Sequence, residues 1–272
     1  MLTFQDKKID LSTPHVMGIL NITPDSFFDG GKYHSDKQLL NKAEEHLNNG
    51  ATLLDIGAYS SRPGAQFVSQ EEEIKRLEPA LISINKTFPT ALLSIDTFRA
   101  SVAKQVIDLG AFMINDISGG NLDVEMFSTI AKHNIPYILM HMRGTPQTMQ
   151  TMTSYDDLTN DIISELKQKI ILLEQKGANQ LLIDPGFGFA KTLEQNYQLL
   201  KQLDRFNEIQ YPLLVGVSRK SMIYKKLRIN PSEALNGTTV LNTIALQSGV
   251  KILRVHDSLE AKQAIDLLNT LK

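Results

Sequence analysis

Residues 157–189 read DLTNDIISELKQKIILLEQKGANQLLIDPGFGF, which holds a helix, its stop and the strand that follows. Apolar residues recur at Leu158, Ile162, Ile163, Leu166, Ile170 and Leu173, the spacing of one buried helix face. Gly177 ends the pattern. Gln180–Ile183 then forms a short apolar run with little alternation, as expected of a parallel strand covered on both faces. Asp184 follows at the point where such a strand leaves its sheet.

The same unit recurs along the chain. Further runs of this kind are Val16–Leu20, Thr52–Ile56, Ala91–Ile95, Phe112–Ile114, Ile135–Met140, Leu213–Val217 and Lys251–Val255, making eight in all. Ser35-Asp36-Lys37-Gln38 has capping-box spacing, with Gly50 as the stop of the helix it opens. Ser69-Gln70-Glu71-Glu72 is a second start, where Glu71, Glu72 and Glu73 suit the positive end of a helix. Asp257-Ser258-Leu259-Glu260 opens the last one. Eightfold strand–helix alternation without a linker, low-complexity tract or composition break predicts a single α/β domain over residues 1–272, a closed (β/α)8 barrel. An open doubly wound sheet is the alternative; no GxGxxG follows the first run, which weakens its dinucleotide-binding version.

Composition narrows the function. Lys plus Arg number 28 against 30 Asp plus Glu over 272 residues, so no basic excess points to nucleic acid. There is no cysteine, which removes disulfides, thiolate zinc sites, iron–sulfur clusters and thiol nucleophiles together. No signal-like apolar core opens the chain, and no window offers the roughly 18 apolar residues of a membrane span. A cytoplasmic enzyme is the expectation. The six histidines form no HxH or HExxH pair, and His15, His34, His46 and His133 are expected at surface or helix positions.

Polar residues cluster where the runs end. Asn21 follows the first, Asp55 lies in the end of the second, Asp96 follows the third, and Asn115 and Asp116 the fourth. His141, Asp184 and Ser218-Arg219-Lys220 follow the next three, and Arg254 and His256 close the eighth. In a barrel these ends converge on the face that carries active sites. Capping explains one such residue per loop but not a full ring. Asp96, Asn115 and Asp184 suit a polar heterocycle, since a buried carboxylate can take two N–H bonds from a 2-aminopyrimidinone edge. Arg62, Lys220, Arg254 and His256 are donors suited to an anion. Together they point to a phosphorylated heterocyclic substrate. Two long loops, 21–31 with Phe27 and Phe28 and 57–65 with Arg62, are expected to act as lids. In Asp184–Phe189 the glycines would let backbone approach a flat ring and a phenylalanine stack on it.

MGILNITPDSFFDGG, DIGAYSSRPGA, SIDTFR, INDISGG, LMHMRGTPQTMQ, IDPGFGFAK, VGVSRKS and RVHD, running from Met17 to Asp257, resemble the ordered motifs of the dihydropteroate synthase family. The resemblance implies a (β/α)8 barrel, a homodimer and Mg2+. It implies that 4-aminobenzoate is joined to 6-hydroxymethyl-7,8-dihydropterin diphosphate, giving 7,8-dihydropteroate and diphosphate, with sulfonamides competing for the aminobenzoate site. Carried over by motif, Asp96, Asn115, Asp184 and Lys220 bind pterin. Asn21, Arg62, Arg254 and His256 hold the diphosphate, Asn21 beside Mg2+. Ser61, Pro63, Phe189 and Ser221 border the aminobenzoate. The catalytic set is Arg62, Lys220, Arg254 and His256. The chain departs from the family's GGESTRPGA at Ala58-Tyr59-Ser60-Ser61, where a tyrosine stands in place of the acid. No insertion interrupts the aminobenzoate-side motifs, so sensitivity to sulfonamides is expected. A pterin-dependent methyltransferase would have no use for the anion-binding donors, and a non-catalytic pterin-binding protein would have no reason to retain them.

Overall fold

Residues 1–22, 32–59 and 68–271 are described by the structure, a computed structural model. The chain opens with a short antiparallel hairpin, β1 (Leu2–Phe4) and β2 (Lys7–Ile9), for which the sequence reading has no counterpart. All eight expected runs become strands. They are β3 (His15–Asn21), β4 (Ala51–Gly57), β5 (Leu92–Asp96), β6 (Met113–Asp116), β7 (Tyr137–Met140), β8 (Leu181–Asp184), β9 (Leu214–Val215) and β10 (Ile252–Val255). They lie parallel in chain order from β3 to β8, while β9 and β10 return against β3. A parallel bridge between Ile183 and Leu213 joins the two ends and closes the barrel.

Helices α1 (Lys32–Asn48), α2 (Gln70–Thr87), α3 (Ala100–Asp108), α4 (Met126–His133), α5 (Leu158–Gln175) and α6 (Leu193–Lys201) make the first six crossovers. Two helices, α7 (Ser221–Leu227) and α8 (Leu235–Gln247), link β9 to β10, and α9 (Ser258–Asn269) ends the ring. Ser69 caps as expected, accepting from Glu72 N at 3.2 Å, and Asp157 caps α5, accepting from Asn160 N at 3.2 Å. Helix α1 starts at Lys32, ahead of the expected Ser35. Asp257 precedes α9 but caps nothing with its side chain, because its carboxylate is taken by Arg219. No helix of the described residues is long and apolar enough to cross a membrane.

His46 holds the helix position expected of it. It lies on α1 but is buried, with Nδ1 2.7 Å from Ser258 Oγ and Nε2 3.2 Å from Ile19 O. Strand and helix approach so closely here that a Cβ on Gly18 would stand 2.5 Å from His46 Cγ, so only glycine fits.

The inside of the barrel has two levels. Outward residues such as Leu54, Ile56, Leu93, Ile95, Ile183 and Val255 join the helices in the main core. Facing the axis, Met17, Leu53, Leu92, Met113, Ile138, Leu182, Leu214 and Ile252 form a separate apolar layer at the feet of the strands. Leu2, Ile9 and Leu11 from the N-terminal segment pack onto that layer and plug the barrel from below. Two residues further along the same inward row, Leu53 gives way to Asp55, Met113 to Asn115, Leu182 to Asp184 and Ile252 to Arg254. Each of these strands therefore has an apolar foot and a polar head. Asn21, Asp96, Asn115, Asp116 and Asp184, expected just beyond the runs, belong to the strands themselves, whereas His141, Lys220 and His256 lie beyond theirs.

This arrangement separates stability from the opposite end of the barrel. Ile9→Ala is expected to lower the unfolding free energy by about 2–5 kcal/mol, measured by urea titration. Because the plug is remote from the polar heads, the variant should keep its ligand affinities within twofold.

Candidate functional site

The polar heads meet in one ion cluster at the C-terminal mouth. Arg254 on β10 donates from Nε to Asp55 Oδ2 at 2.6 Å and from Nη2 to Asp96 Oδ2 at 3.2 Å. Asn115 donates from Nδ2 to the same Asp55 oxygen at 3.1 Å. Asp55 is fully buried, while Arg254 and Asp96 are half-buried and reach toward the mouth. Burial pushes the Asp96 carboxyl up to about 7, although Arg254 pulls it down.

Asp184 and Lys220 form the second half. Burial raises the Asp184 carboxyl, with Lys220 opposing. Burial also lowers the Lys220 ammonium to about 8, with Asp184 opposing. Lys220 donates to the carbonyl of Phe187 and stands 4.8 Å from the centroid of the Phe189 ring. Phe187 is in the core, whereas Phe189 is half-buried and available as a flat wall. Ser221 opens α7 immediately after Lys220. His256 has Nδ1 3.0 Å from Ser218 Oγ, and its backbone N–H donates to that same hydroxyl at 3.2 Å.

The turn from Asp184 to Lys191 is held almost wholly by side chains. Gly186 N–H donates to Asp184 Oδ1 at 2.8 Å, and Gly188 N–H to Asn196 Oδ1 at 2.6 Å. Gly186 has φ +73°, and a Cβ there would lie 2.0 Å from the carbonyl oxygen of His141. No other residue can occupy that position without moving the turn.

Three of the polar strand ends serve the scaffold instead. Asp116 faces the helix layer, where it accepts from Tyr137 OH, Ser118 N, Ser118 Oγ and Gly120 N. His141 is buried with Nε2 3.0 Å from Glu165 and Nδ1 3.1 Å from Lys191. Arg219 pairs bidentately with Asp257, at 2.9 and 2.8 Å, and so anchors the loop before Lys220 to the start of α9. Conversely, Asp55 was given no binding role by its motif, although it links Arg254 to Asn115. Its signal was an acid inside the apolar run LLDIG.

Asn21, exposed at the head of β3, is in register with Gly57, which is in register with Asp96. With no side chain between them at Gly57, an amide oxygen and a carboxylate flank the same spot on the rim. Both are hard oxygen donors of the kind Mg2+ takes. Ser61, Arg62 and Pro63 lie outside the described residues, as do Phe27 and Phe28 and with them both expected lids. The near root of the second loop is described: Tyr59 packs edge-on against Phe98 with ring centroids 5.2 Å apart.

Residues 17–256 match the family described as pterin binding enzyme. The dihydropteroate synthase of Escherichia coli K12 is 43% identical over 263 residues, covering 96% of this chain and 93% of that protein. The crystal structure of Yersinia pestis dihydropteroate synthase in a sulfonamide drug complex superposes with a TM-score of 0.93 at 42% identity, covering 99% of this chain and 98% of that one. Xanthomonas albilineans dihydropteroate synthase with 4-aminobenzoic acid gives 0.89 at 36% identity, covering 96% and 94%.

Asp55 is the pivot of the ion cluster, and its removal strands a guanidinium. Asp55→Ala is expected to lower the unfolding free energy by about 3–5 kcal/mol, read from chemical denaturation. A change below about 1 kcal/mol would show that Asp96 alone neutralises Arg254.

Proposed function

The chain belongs to the pterin-binding enzymes and is a dihydropteroate synthase of folate biosynthesis, and we propose how its own residues divide that work. It condenses 6-hydroxymethyl-7,8-dihydropterin diphosphate with 4-aminobenzoate, and it is a sulfonamide target. The observation that carries the residue assignment is the convergence of Asp96, Asn115, Asp184, Lys220 and Arg254 on one barrel mouth.

In this reading Asp96, Asn115 and Asp184 take the amino and ring N–H groups of the pterin, with Lys220 donating beside them. The ring packs on the Gly-rich turn. Arg254, His256 and Arg62 face the diphosphate; Arg254 keeps its links to Asp55 and Asp96 and so connects the two subsites. Ser61, Pro63, Phe189 and Ser221 border the aminobenzoate. Asn21, with Asp96 near it across Gly57, would hold Mg2+, which neutralises charge on the departing diphosphate when bound. The metal needs few protein oxygens where substrate phosphates complete its shell.

The chemistry follows from the substrates. The C–O bond to diphosphate breaks at a methylene attached to an electron-rich ring, and the cation that develops is shared with that ring. Asp96 and Asp184 stabilise its positive charge, while the donors stabilise the leaving anion. The aminobenzoate nitrogen then forms the C–N bond and gives up a proton to water or diphosphate, so the protein supplies no nucleophile.

The reading extends to a cytoplasmic homodimer. A diphosphate-bearing substrate does not cross membranes unaided, which favours the cytoplasm. An exposed apolar strip formed by Leu227, which packs beside Gly237, and by Val240 and Ile244 one and two turns on, favours self-association through α7 and α8.

Two measurements test the assignment. The purified protein should release diphosphate only when both substrates are present, and Asp184→Ala should weaken binding of the pterin alcohol by roughly 1.5–3 kcal/mol in calorimetry. Unchanged affinity would remove Asp184 from the pterin site. The second test uses protonation. With its carboxyl at about 7, Asp96 carries a proton at pH 6 in the free enzyme. Ligand N–H donors require the carboxylate, so pterin binding at pH 6 should expel that proton. Affinity should rise about tenfold from pH 6 to pH 8. Calorimetry in buffers of different ionisation enthalpy reads the proton release, and a flat profile would exclude Asp96 as an acceptor.

A further inference from the structure

Lys191 is a lysine almost wholly buried behind the pterin-side turn, and no step of the reaction uses it. Its Nζ lies 2.9 Å from Gly186 O, 3.0 Å from Phe189 O and 3.1 Å from His141 Nδ1. An ammonium has three hydrogens, and here it meets three acceptors. For Nδ1 to accept, the proton of the neutral imidazole must sit on Nε2, which is 3.0 Å from Glu165 Oε2. Burial holds His141 far below its ordinary value, at about 3, which keeps the ring neutral. Glu165 is itself anchored by Arg143, whose Nε donates to Oε1 at 2.9 Å. A line of donors and acceptors therefore runs from Arg143 through Glu165 and His141 to Lys191.

We propose that Lys191 is a positioning residue for the condensation: by gripping the carbonyls of Gly186 and Phe189 it fixes the turn that presents Asp184 to the pterin and Phe189 to the aminobenzoate. Side chains hold most carbonyls of this turn, and Lys191 bridges two of them. Phe187 O is taken by Lys220 and Ala190 O by Tyr155 OH; Gly186 O takes the Phe189 N–H at 3.1 Å as well as Lys191, and Phe189 O takes Lys191. Lys191 touches neither substrate in this arrangement, and it acts through the backbone. The inference rests on the assignment of Asp184 and Phe189 made above.

Lys191→Met keeps the apolar stem and removes the charge. The variant should remain folded by circular dichroism. Its Kd for the pterin alcohol and its KM for 4-aminobenzoate should each rise at least tenfold, with kcat changed less than threefold. Lys191→Ala leaves room for a small amine, and propylammonium should restore pterin affinity at least fivefold where 1-propanol does not. A folded Lys191→Met within twofold of the parent on both substrates overturns the proposal. So does equal rescue by the alcohol, no rescue by the amine, or failure of both variants to fold, which would make the lysine a folding residue. Asp184→Ala is measured alongside. If it leaves pterin affinity intact, the site assignment fails; if it cripples binding while Lys191→Met does not, the inference alone fails.

Discussion

Arg254 sits between two carboxylates inside the mouth of a barrel, and that arrangement sets the terms for everything around it. A buried guanidinium is tolerated only when its charge is matched and its N–H groups are used. Asp55 and Asp96 do both, from the two strands that follow β3. Asn115 then shares Asp55, so an amide on β6 is held by the same anchor as a guanidinium on β10. Burial pushes the carboxyl of Asp96 up to about 7 against the pull of Arg254. The site is thus a continuation of the barrel interior in which apolar packing is replaced, at one level, by mutually satisfied charge.

That change of level was partly legible in the sequence. The eight strands and the heads Asn21, Asp96, Asn115, Asp184 and Arg254 could be read because acids and amides interrupt apolar runs at the same relative place. What could not be read was direction. Asp116 and Asn115 are neighbours in sequence, yet a strand turns alternate residues to opposite faces, so one enters the site and the other is spent on Tyr137 and the turn after β6. His141 and Arg219 were likewise indistinguishable by spacing from ligand-facing residues. Their partners, Glu165 on α5 and Asp257 just before α9, lie 24 and 38 residues further along the chain. His46 sits on a helix as expected, but its burial could not be read, because the glycine that lets it approach the strand becomes a contact only once both are folded.

The N-terminal hairpin escaped notice for a related reason. Its strands have three residues each, and the second begins with two lysines, so no periodicity could build up. Its role is to supply Leu2, Ile9 and Leu11 to an apolar layer whose demand for a lid exists only in three dimensions. The Gly-rich turn shows the same limit from the other side. Its glycines announced a special backbone, but the groups that satisfy it come from Tyr155, Lys191, Asn196 and Lys220.

The order of strands around the barrel also bears on how the molecule comes into being. Arg254 lies 199 residues after Asp55, and β10 can pair with β3 only after every other strand of the barrel has been made. During synthesis, β4 and β5 can pair early, which sets Asp55 and Asp96 on neighbouring strands with no guanidinium between them. Like charges in a forming interior repel or take up protons, so the emerging barrel mouth resists closing until the last strand arrives. Arrival of β10 delivers the counter-charge, the final member of the foot layer and the last seam in one event. The nascent barrel therefore has nothing with which to shut this edge until residues 252–255 have been made, and a chain cut short before Ile252 would lack it altogether.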